Sequence, residues 1–272
     1  FTRSTGYDHL TRHFKDIGKT ITAGYLPKYA ARAVAEQTFL LMLMLARKID
    51  AERTAIRNFS RDGLTGIELR GRSLTIIGVG NIGSEIARIA HGWDMDLLGV
   101  DLVEREEIAE SYNLKYVPLD EGVREGEILV CALPLTDITY RMLNYNLLNK
   151  NKKQAFFINI ARGEITPPHD LLKTLDEKTL SGIGIDVYDE ESTVGSYLRG
   201  EISLGDINDL SVLDSVKATL NLLDHPKVIS TPHNAFNTEE STDRKVRQTA
   251  ENIREFLEQG EFLTPVPLDE IL

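Results

Sequence analysis

The stretch that decides the fold reads LTIIGVGNIGSEIARIAH and covers residues 74–91. An apolar run of strand length, residues 74–79, leads into a Gly-x-Gly-x-x-Gly turn, and a helical pattern follows over residues 84–91. In this arrangement the first glycine allows a tight turn, the second lets a pyrophosphate approach the backbone, and the third lets helix pack on strand. The segment therefore predicts a dinucleotide-binding turn made of Gly78, Gly80, Asn81, Ile82 and Gly83.

Short apolar segments of strand length recur after this turn. Most are apolar throughout, which is typical of strands covered on both faces, and helical patterns separate them. Repeated strand–helix–strand units predict an α/β fold with a doubly wound parallel sheet, a Rossmann-type domain. The expected strands cover residues 74–79, 97–101, 116–117, 128–133, 156–160, 183–187 and 228–230.

The strand after the glycine turn ends at Asp101. A carboxylate at this position accepts hydrogen bonds from both ribose hydroxyls and repels the extra phosphate of NADP. The next three residues bring no cation for that phosphate, and Arg105 is the nearest one. The alternative is a turn with clustered glycines and an unrelated aspartate at a strand end, but the strand–turn–helix context favours NAD as the cofactor.

Three polar segments follow later strands, at residues 159–163, 186–191 and 231–235. The carboxyl ends of parallel strands meet at one edge of the sheet, so Arg162, an acid and His233 are expected there together. An arginine holds a carboxylate and polarises a ketone, a histidine protonates the ketone oxygen, and an acid beside the histidine favours its charged form. Each has a structural alternative, as a surface ion pair, a solvated acid or a loop histidine. Together, behind a dinucleotide turn, they favour 2-keto acid reduction.

The composition restricts the partners. The chain has 272 residues and a net charge of −11, and a surface this acidic repels nucleic acid. The longest apolar stretch, residues 39–46, is too short to span a bilayer, so no membrane partner is expected. The single cysteine, Cys131, excludes an internal disulfide and favours a cytoplasmic location. No metal site is expected, because His9 and His13 have no evident third ligand.

Seven motifs are spread over nearly the whole chain: RSTGYD at residues 3–8, AVAE at 33–36, the glycine turn, LPLT at 133–136, IARG at 160–163, DVY at 186–188 and TPH at 231–233. With these motifs the chain resembles the D-isomer-specific 2-hydroxyacid dehydrogenase family. Within the family, Tyr29 and residues 233–238 resemble the D-lactate dehydrogenase branch. The resemblance implies NAD-dependent interconversion of a small 2-keto acid and its D-2-hydroxy acid.

The resemblance also implies roles for individual residues. The catalytic residues would be Arg162, His233 and, in preference to Glu190, Glu191. The nicotinamide would lie near Asp186, and the loop containing Thr5 and Gly6 would hold the substrate carboxylate. Further substrate contacts are expected at Tyr29 and Phe236, and further cofactor contacts at Leu133, Pro134, Thr139 and Ala161.

Some features depart from the family. Ser192 stands where a proline usually follows the catalytic Glu. The family usually has Val-Asp after the Arg-Gly pair, whereas this chain has Thr166-Pro167 near that position. A long irregular excursion is also expected over residues 192–223. These departures leave the substrate open. The alternatives are an NAD-sensing, corepressor-like binding protein and a catalytically impaired fragment.

The resemblance divides the chain into two domains. Residues 29–235 are expected to form the NAD-binding domain, and residues 1–28 with 236–272 an incomplete α/β substrate domain. Family members begin with several strands and helices that precede the RSTGYD loop, so we expect an N-terminal piece to be missing here.

Two long helices are expected to flank the sheet. One covers residues 30–58, and its apolar middle predicts either a core helix or a homodimer interface. The other is expected to start at Asn237, with Glu240 as its reciprocal cap, and to end at Gly260.

Overall fold

The computed structural model describes residues 1–19 and 21–267. Within them, seven strands form one parallel sheet in the order β3-β2-β1-β4-β5-β6-β7. Every expected strand is present, with ends that differ by at most two residues. The strands are β1 Ser73–Ile77, β2 Asp96–Val100, β3 Leu114–Tyr116, β4 Ile128–Cys131, β5 Phe156–Asn159, β6 Gly182–Ile185 and β7 Val228–Ser230.

Helices cover both faces of the sheet and create two separate cores. Alternate side chains of a strand enter different cores: Ile76 belongs to one hydrophobic cluster and Ile77 to the other. This confirms the doubly wound α/β fold. The helices are α1 Asp8–Ile17, α2 Ala31–Arg47, α3 Ile49–Ala55, α4 Asn81–His91, α5 Glu106–Tyr112, α6 Leu119–Glu125, α7 Tyr145–Leu148, α8 Pro168–Asp176, α9 Glu191–Leu198, α10 Leu210–Leu223 and α11 Glu239–Gln259.

The expected single helix over residues 30–58 is wrong. Lys48 adopts a left-handed conformation with φ of 53°, and this separates α2 from α3. Its N–H donates to the carbonyl of Leu45, and its Nζ donates to the carbonyl of Gly63 at 2.9 Å. These local hydrogen bonds end α2 and change the direction of the chain. Apolar periodicity alone does not predict such a break.

The apolar middle of α2 is mostly covered by its own chain. Its largest apolar side chains are buried within the single chain, which agrees with the core-helix alternative for this segment. Those side chains are Phe39, Leu41, Met42 and Leu45. The exposed apolar residues of α2 are instead Leu40, 47% exposed, and Leu43, 37% exposed.

Two further expectations need correction. The stretch 192–223 is largely helical, because it contains most of α9 and all of α10, and α10 packs against α8. Helix α11 is capped by Thr238 and not by Asn237, since the Thr238 hydroxyl accepts from the N–H of Ser241 at 3.1 Å. Its expected end at Gly260, with φ of 80°, is confirmed.

The two ends of the chain pack against each other. The N–H of Tyr25 donates to Thr264 at 3.0 Å, and the N–H of Val266 donates to Ala23 at 2.8 Å. Phe14, Ala23 and Val266 form a small apolar cluster below these bonds. Residues 268–272 of the expected substrate domain lie outside the described residues.

No helix in the described ranges is both long and apolar enough to cross a membrane.

The close packing of α4 on β1 generates a stability prediction. A Cβ at Gly83 would lie 2.1 Å from the carbonyl oxygen of Gly78, whereas nothing lies within 4 Å of a Cβ at Gly80. We expect Gly83→Ala to lower the free energy of unfolding by about 1–3 kcal/mol, as overpacking does. Gly80→Ala should leave stability nearly unchanged but weaken NADH binding. Urea unfolding of both variants checks this, and equal stability losses would contradict it.

Candidate active site

The glycine turn lies at the centre of the sheet, where β1 has β2 on one side and β4 on the other. This is the topological switch point at which open α/β sheets bind ligands. Gly78 has φ of 101°, and a Cβ there would lie 2.7 Å from the carbonyl oxygen of Ala132. Asn81 donates to the carbonyl of Pro27 at 3.2 Å, and Ile82 packs partly against the core. The turn thus has open space only at Gly80.

Asp101 is held at this turn by backbone donors. One carboxylate oxygen accepts from the N–H of Val79 at 2.6 Å, and the other accepts from the N–H of Val103 at 3.1 Å. The aspartate follows β2 directly, so its acidic group stands beside the glycine turn, where the ribose of a dinucleotide is expected. Both carboxylate oxygens keep lone pairs for further donors.

The other expected cofactor residues lie in loops at the same edge. The Thr139 hydroxyl is buried and donates to the carbonyl of Pro134 at 2.6 Å, while it accepts from the N–H of Thr136 at 2.8 Å. It therefore shapes the loop that contains Leu133 and Pro134. Ala161, after β5, is fixed by its N–H, which donates to Asn159 at 3.0 Å.

The histidine and its acid are in contact, as expected. His233 Nδ1 lies 2.7 Å from Glu191 Oε1, although 41 residues separate the two in sequence. Glu191 is the first residue of α9, and Glu190 before it has a left-handed φ of 53°, which directs the two acids differently. The hydrogen bond to Glu191 raises the pKa of His233, against the opposing effect of burial. The imidazole is therefore charged over a wider pH range than a free one.

Asp186 organises the loop that contains the histidine. It is buried, and its oxygens accept from the N–H groups of Asn234 at 2.9 Å and Ala235 at 2.8 Å and from the Thr231 hydroxyl. His233 itself has a left-handed φ of 49°. Asp186 was expected near the nicotinamide, whereas its contacts in the structure hold the His233 loop.

Arg162 is paired with an acid that the sequence analysis did not single out. Its Nε donates to Asp8 Oδ1 at 3.0 Å, its Nη2 lies 3.0 Å from the same oxygen, and its Nη1 donates to Ala161. A Cβ at Gly6 would lie 1.6 Å from Nη2, so the loop containing Thr5 packs directly on the guanidinium. The only sequence signal for Asp8 was its place at the end of the RSTGYD motif.

Gly163 brings the loops after β5 and β6 together. A Cβ at this position would lie 1.8 Å from the carbonyl carbon of Tyr188, so only glycine allows the two backbones to touch. This contact holds Arg162 on the same side of the site as His233. The positive charge of Arg162 lowers the pKa of His233, against the larger raising effect of Glu191.

Two aromatic residues complete the site. Tyr29 is buried, and burial raises its pKa against the charges of Arg162 and Arg3. The Phe236 ring lies edge-on to His233, with 6.5 Å between the ring centroids. Among the described residues, no group of three or more His, Cys, Asp or Glu side chains is arranged to hold a metal ion.

Comparisons with known proteins agree with this geometry. Residues 39–235 match the NAD binding domain of the D-isomer specific 2-hydroxyacid dehydrogenases. An aromatic 2-oxoacid reductase of Clostridium sporogenes is 32% identical over 263 residues, which are 95% of this chain and 75% of the relative. A D-lactate dehydrogenase of Streptococcus agalactiae is 33% identical, with 89% of this chain and 71% of the relative covered.

A solved structure agrees as well. The D-lactate dehydrogenase from Aquifex aeolicus, complexed with NAD and lactic acid, is 29% identical, with a TM-score of 0.83 over 96% of this chain and 78% of that one. The chain therefore belongs to the D-isomer specific 2-hydroxyacid dehydrogenase family. It is an NAD-dependent oxidoreductase that interconverts 2-oxo acids and 2-hydroxy acids.

The His233–Glu191 pair generates a prediction on pH dependence. Because Glu191 is the main cause of the raised His233 pKa, Glu191→Gln should lower that pKa. Keto acid reduction needs the protonated imidazole, so the falling limb of kcat/KM should move to lower pH. The pH profile of kcat/KM is the measurement, with Glu190→Gln as the matched control. A profile that moves in the control, or in neither variant, would contradict the assignment.

Proposed function

We propose that this protein reduces small 2-keto acids, with pyruvate as the model substrate, to D-2-hydroxy acids, and that Arg162, Glu191 and His233 are its catalytic residues. The observation that carries the proposal is the 2.7 Å contact between His233 and Glu191 at the same edge of the sheet as Arg162 and the glycine turn. The nucleotide-sensing alternative is not favoured, since a sensor needs no acid–histidine pair.

The residues at the glycine turn fit a dinucleotide. Gly80 offers open space at the start of α4, and the Asp101 carboxylate stands beside it in a fixed orientation. When bound, NADH supplies the hydride for C2 of the keto acid. The rest of the reaction depends on the protein's own side chains.

Arg162 is suited to hold the carboxylate of the substrate and polarise its ketone. Its guanidinium offers a planar set of donors, and in the structure two of its nitrogens already lie 3.0 Å from a carboxylate oxygen of Asp8. The Gly6 loop packs on the same guanidinium, so its backbone N–H groups are available near the bound carboxylate.

His233 is suited to supply the proton. With Nδ1 engaged by Glu191, Nε2 is the nitrogen that donates to the ketone oxygen as negative charge develops there. The imidazolium becomes neutral imidazole, and the hydrogen bond to Glu191 keeps the ring oriented. Asp186 acts as a positioning residue, because it holds the loop and not the substrate.

The size of the pocket follows from its aromatic walls. Tyr29 lies at the expected boundary between residues 1–28 and residues 29–235. Phe236 lies at the second expected boundary, where the chain crosses back from residues 29–235 to residues 236–272. We propose that residues 1–28 and 236–272 form a substrate lobe that closes over residues 29–235 by bending at these two crossings. Closure brings both rings towards the substrate, which favours short side chains and excludes water.

A substrate panel tests this function. We expect NADH-dependent turnover of pyruvate, with a higher kcat/KM than for phenylpyruvate and with the D enantiomer as product. Arg162→Lys should lower kcat/KM by about 100-fold, because a lysine cannot make the bidentate contact. Tight NADH binding without turnover of any 2-keto acid would contradict the proposal and support a sensing role.

We also propose that the protein is a homodimer. On α2, the exposed Leu40 and Leu43 lie on one stripe of the helix between Glu36 and Arg47. The chain continues into α3 and a turn where Ile56 and Phe59 are exposed beside a groove. A second copy would cover this apolar surface, and specific interfaces of this kind bury about 1,200 Å² or more.

Light scattering at micromolar concentration tests the dimer. The unmodified protein should have twice the mass of one chain, and the double variant Leu40→Asp with Leu43→Asp should be monomeric. Leu257→Asp on α11 is the matched control, because Leu257 is also an exposed leucine on a helix. A monomeric unmodified protein, or a control that dissociates as well, would rule out this interface.

A further inference from the structure

A lysine on the C-terminal helix reaches the aromatic wall of the substrate cleft. The Nζ of Lys245, on α11, lies 5.0 Å from the ring centroid of Phe236 and 5.3 Å from that of Tyr29. The preceding residue, Arg244, anchors the helix there, since its Nε donates to the carbonyl of Tyr29 at 2.8 Å. The same Phe236 ring packs edge-on to His233, with 6.5 Å between the ring centroids.

A second cation, Arg3, lies in a segment that is hydrogen-bonded to the chain just before Tyr29. The N–H of Thr2 donates to the carbonyl of Gly24 at 2.9 Å, and the N–H of Leu26 donates to the carbonyl of Ser4 at 3.1 Å. Arg3 lowers the pKa of Lys245, after the larger effect of burial, and Arg3 also acts on Tyr29. The charge of Arg162 also acts on Tyr29. Arg3 and Lys245 therefore add two positive charges to the surroundings of Tyr29.

Neither of these two cations is compensated in the described part of the chain. The salt bridges among those residues involve other side chains, and neither Lys245 nor Arg3 has a carboxylate partner. An ammonium has three donors, and partial burial without an anion is costly. The two aromatic faces offset part of that cost. The chain has a net charge of −11, so two cations without a carboxylate partner among the described residues are a local exception.

We propose that Lys245 and Arg3 form a distal anion site in the substrate cleft and that the substrates include 2-oxo dicarboxylates. This rests on the proposed function: the 2-oxo carboxylate end meets Arg162 and His233, and the second carboxylate meets the Lys245 ammonium and the Arg3 guanidinium. The reaction is unchanged, with hydride added at C2 and the His233 proton transferred to the oxygen. A carboxylate is favoured over a phosphate because it is planar and carries a single negative charge. Its two oxygens can accept two parallel hydrogen bonds from the planar guanidinium of Arg3.

The experiment compares two substrates of nearly equal shape. In 4-methyl-2-oxopentanoate, two methyl groups replace the distal carboxylate oxygens of oxaloacetate. For the unmodified protein, kcat/KM should be higher with oxaloacetate. In Lys245→Met, which retains an unbranched side chain but removes the charge, the oxaloacetate to 4-methyl-2-oxopentanoate ratio should fall at least ~10-fold, mainly through KM, as for the loss of one charged hydrogen bond. Lys245→Arg should largely restore it.

Lys173→Met is the matched control. Lys173 also lies over an aromatic ring, with Nζ 3.6 Å from the centroid of Tyr145, but on α8. This variant should leave the substrate ratio unchanged. A ratio that falls equally in both lysine variants, or in neither, would overturn the distal site while turnover itself still supports the proposed function.

Two other results would also overturn the proposal. A larger loss with phenylpyruvate than with oxaloacetate in Lys245→Met would mean that the ammonium contacts a substrate ring. A higher kcat/KM for phosphohydroxypyruvate than for oxaloacetate would assign the site to a phosphate. If no 2-keto acid is turned over, the proposed function fails. Calorimetric titration of malonate into the NADH-saturated protein then tests the distal anion site by itself. Binding at least ~10-fold weaker in Lys245→Met supports the site, and equal binding refutes it.

Discussion

The geometry of the candidate active site depends on one buried side chain. Asp186 follows β6 and is almost inaccessible to solvent, and a buried carboxyl group is tolerated only when its oxygens are hydrogen-bonded. Its donors all come from the segment after β7: the Thr231 hydroxyl and the N–H groups of Asn234 and Ala235. These bonds hold the left-handed turn at His233 in place, and that turn places the imidazole against Glu191.

Close backbone approach at two glycines completes the arrangement. Gly163 lets the loop after β5 touch the loop after β6, and Gly6 lets the N-terminal loop lie on the guanidinium of Arg162. Packing and charge thus act together, because the loop that covers Arg162 also contributes Asp8 to neutralise it. A substrate carboxylate that binds Arg162 has to share or replace this contact. Binding of substrate and movement of the N-terminal loop are therefore expected to be linked.

The charge around the candidate site differs in sign from the charge of the whole chain. The chain as a whole is acidic, with a net charge of −11, yet Lys245 lies over the Tyr29 and Phe236 rings, and the positive charges of Arg162 and Arg3 act on Tyr29. Clefts lined by one sign of charge concentrate ligands of the opposite sign. The acidity of the chain as a whole repels polyanions.

The sequence alone determined the parallel sheet, the glycine turn and the edge at which Arg162, an acid and His233 are placed, because these follow from apolar runs of strand length and from the rule that strand ends meet at one edge. The choice of Glu191 as that acid came from the family resemblance. The helix break at Lys48 and the cap at Thr238 could not be predicted, because they depend on local backbone conformation and hydrogen bonds that apolar periodicity does not report. Only the tertiary structure paired Asp8 with Arg162, gave Asp186 its donors and laid Lys245 over Tyr29 and Phe236. Most of these contacts join residues far apart in the chain, and their partners are selected by packing distances that no local pattern contains.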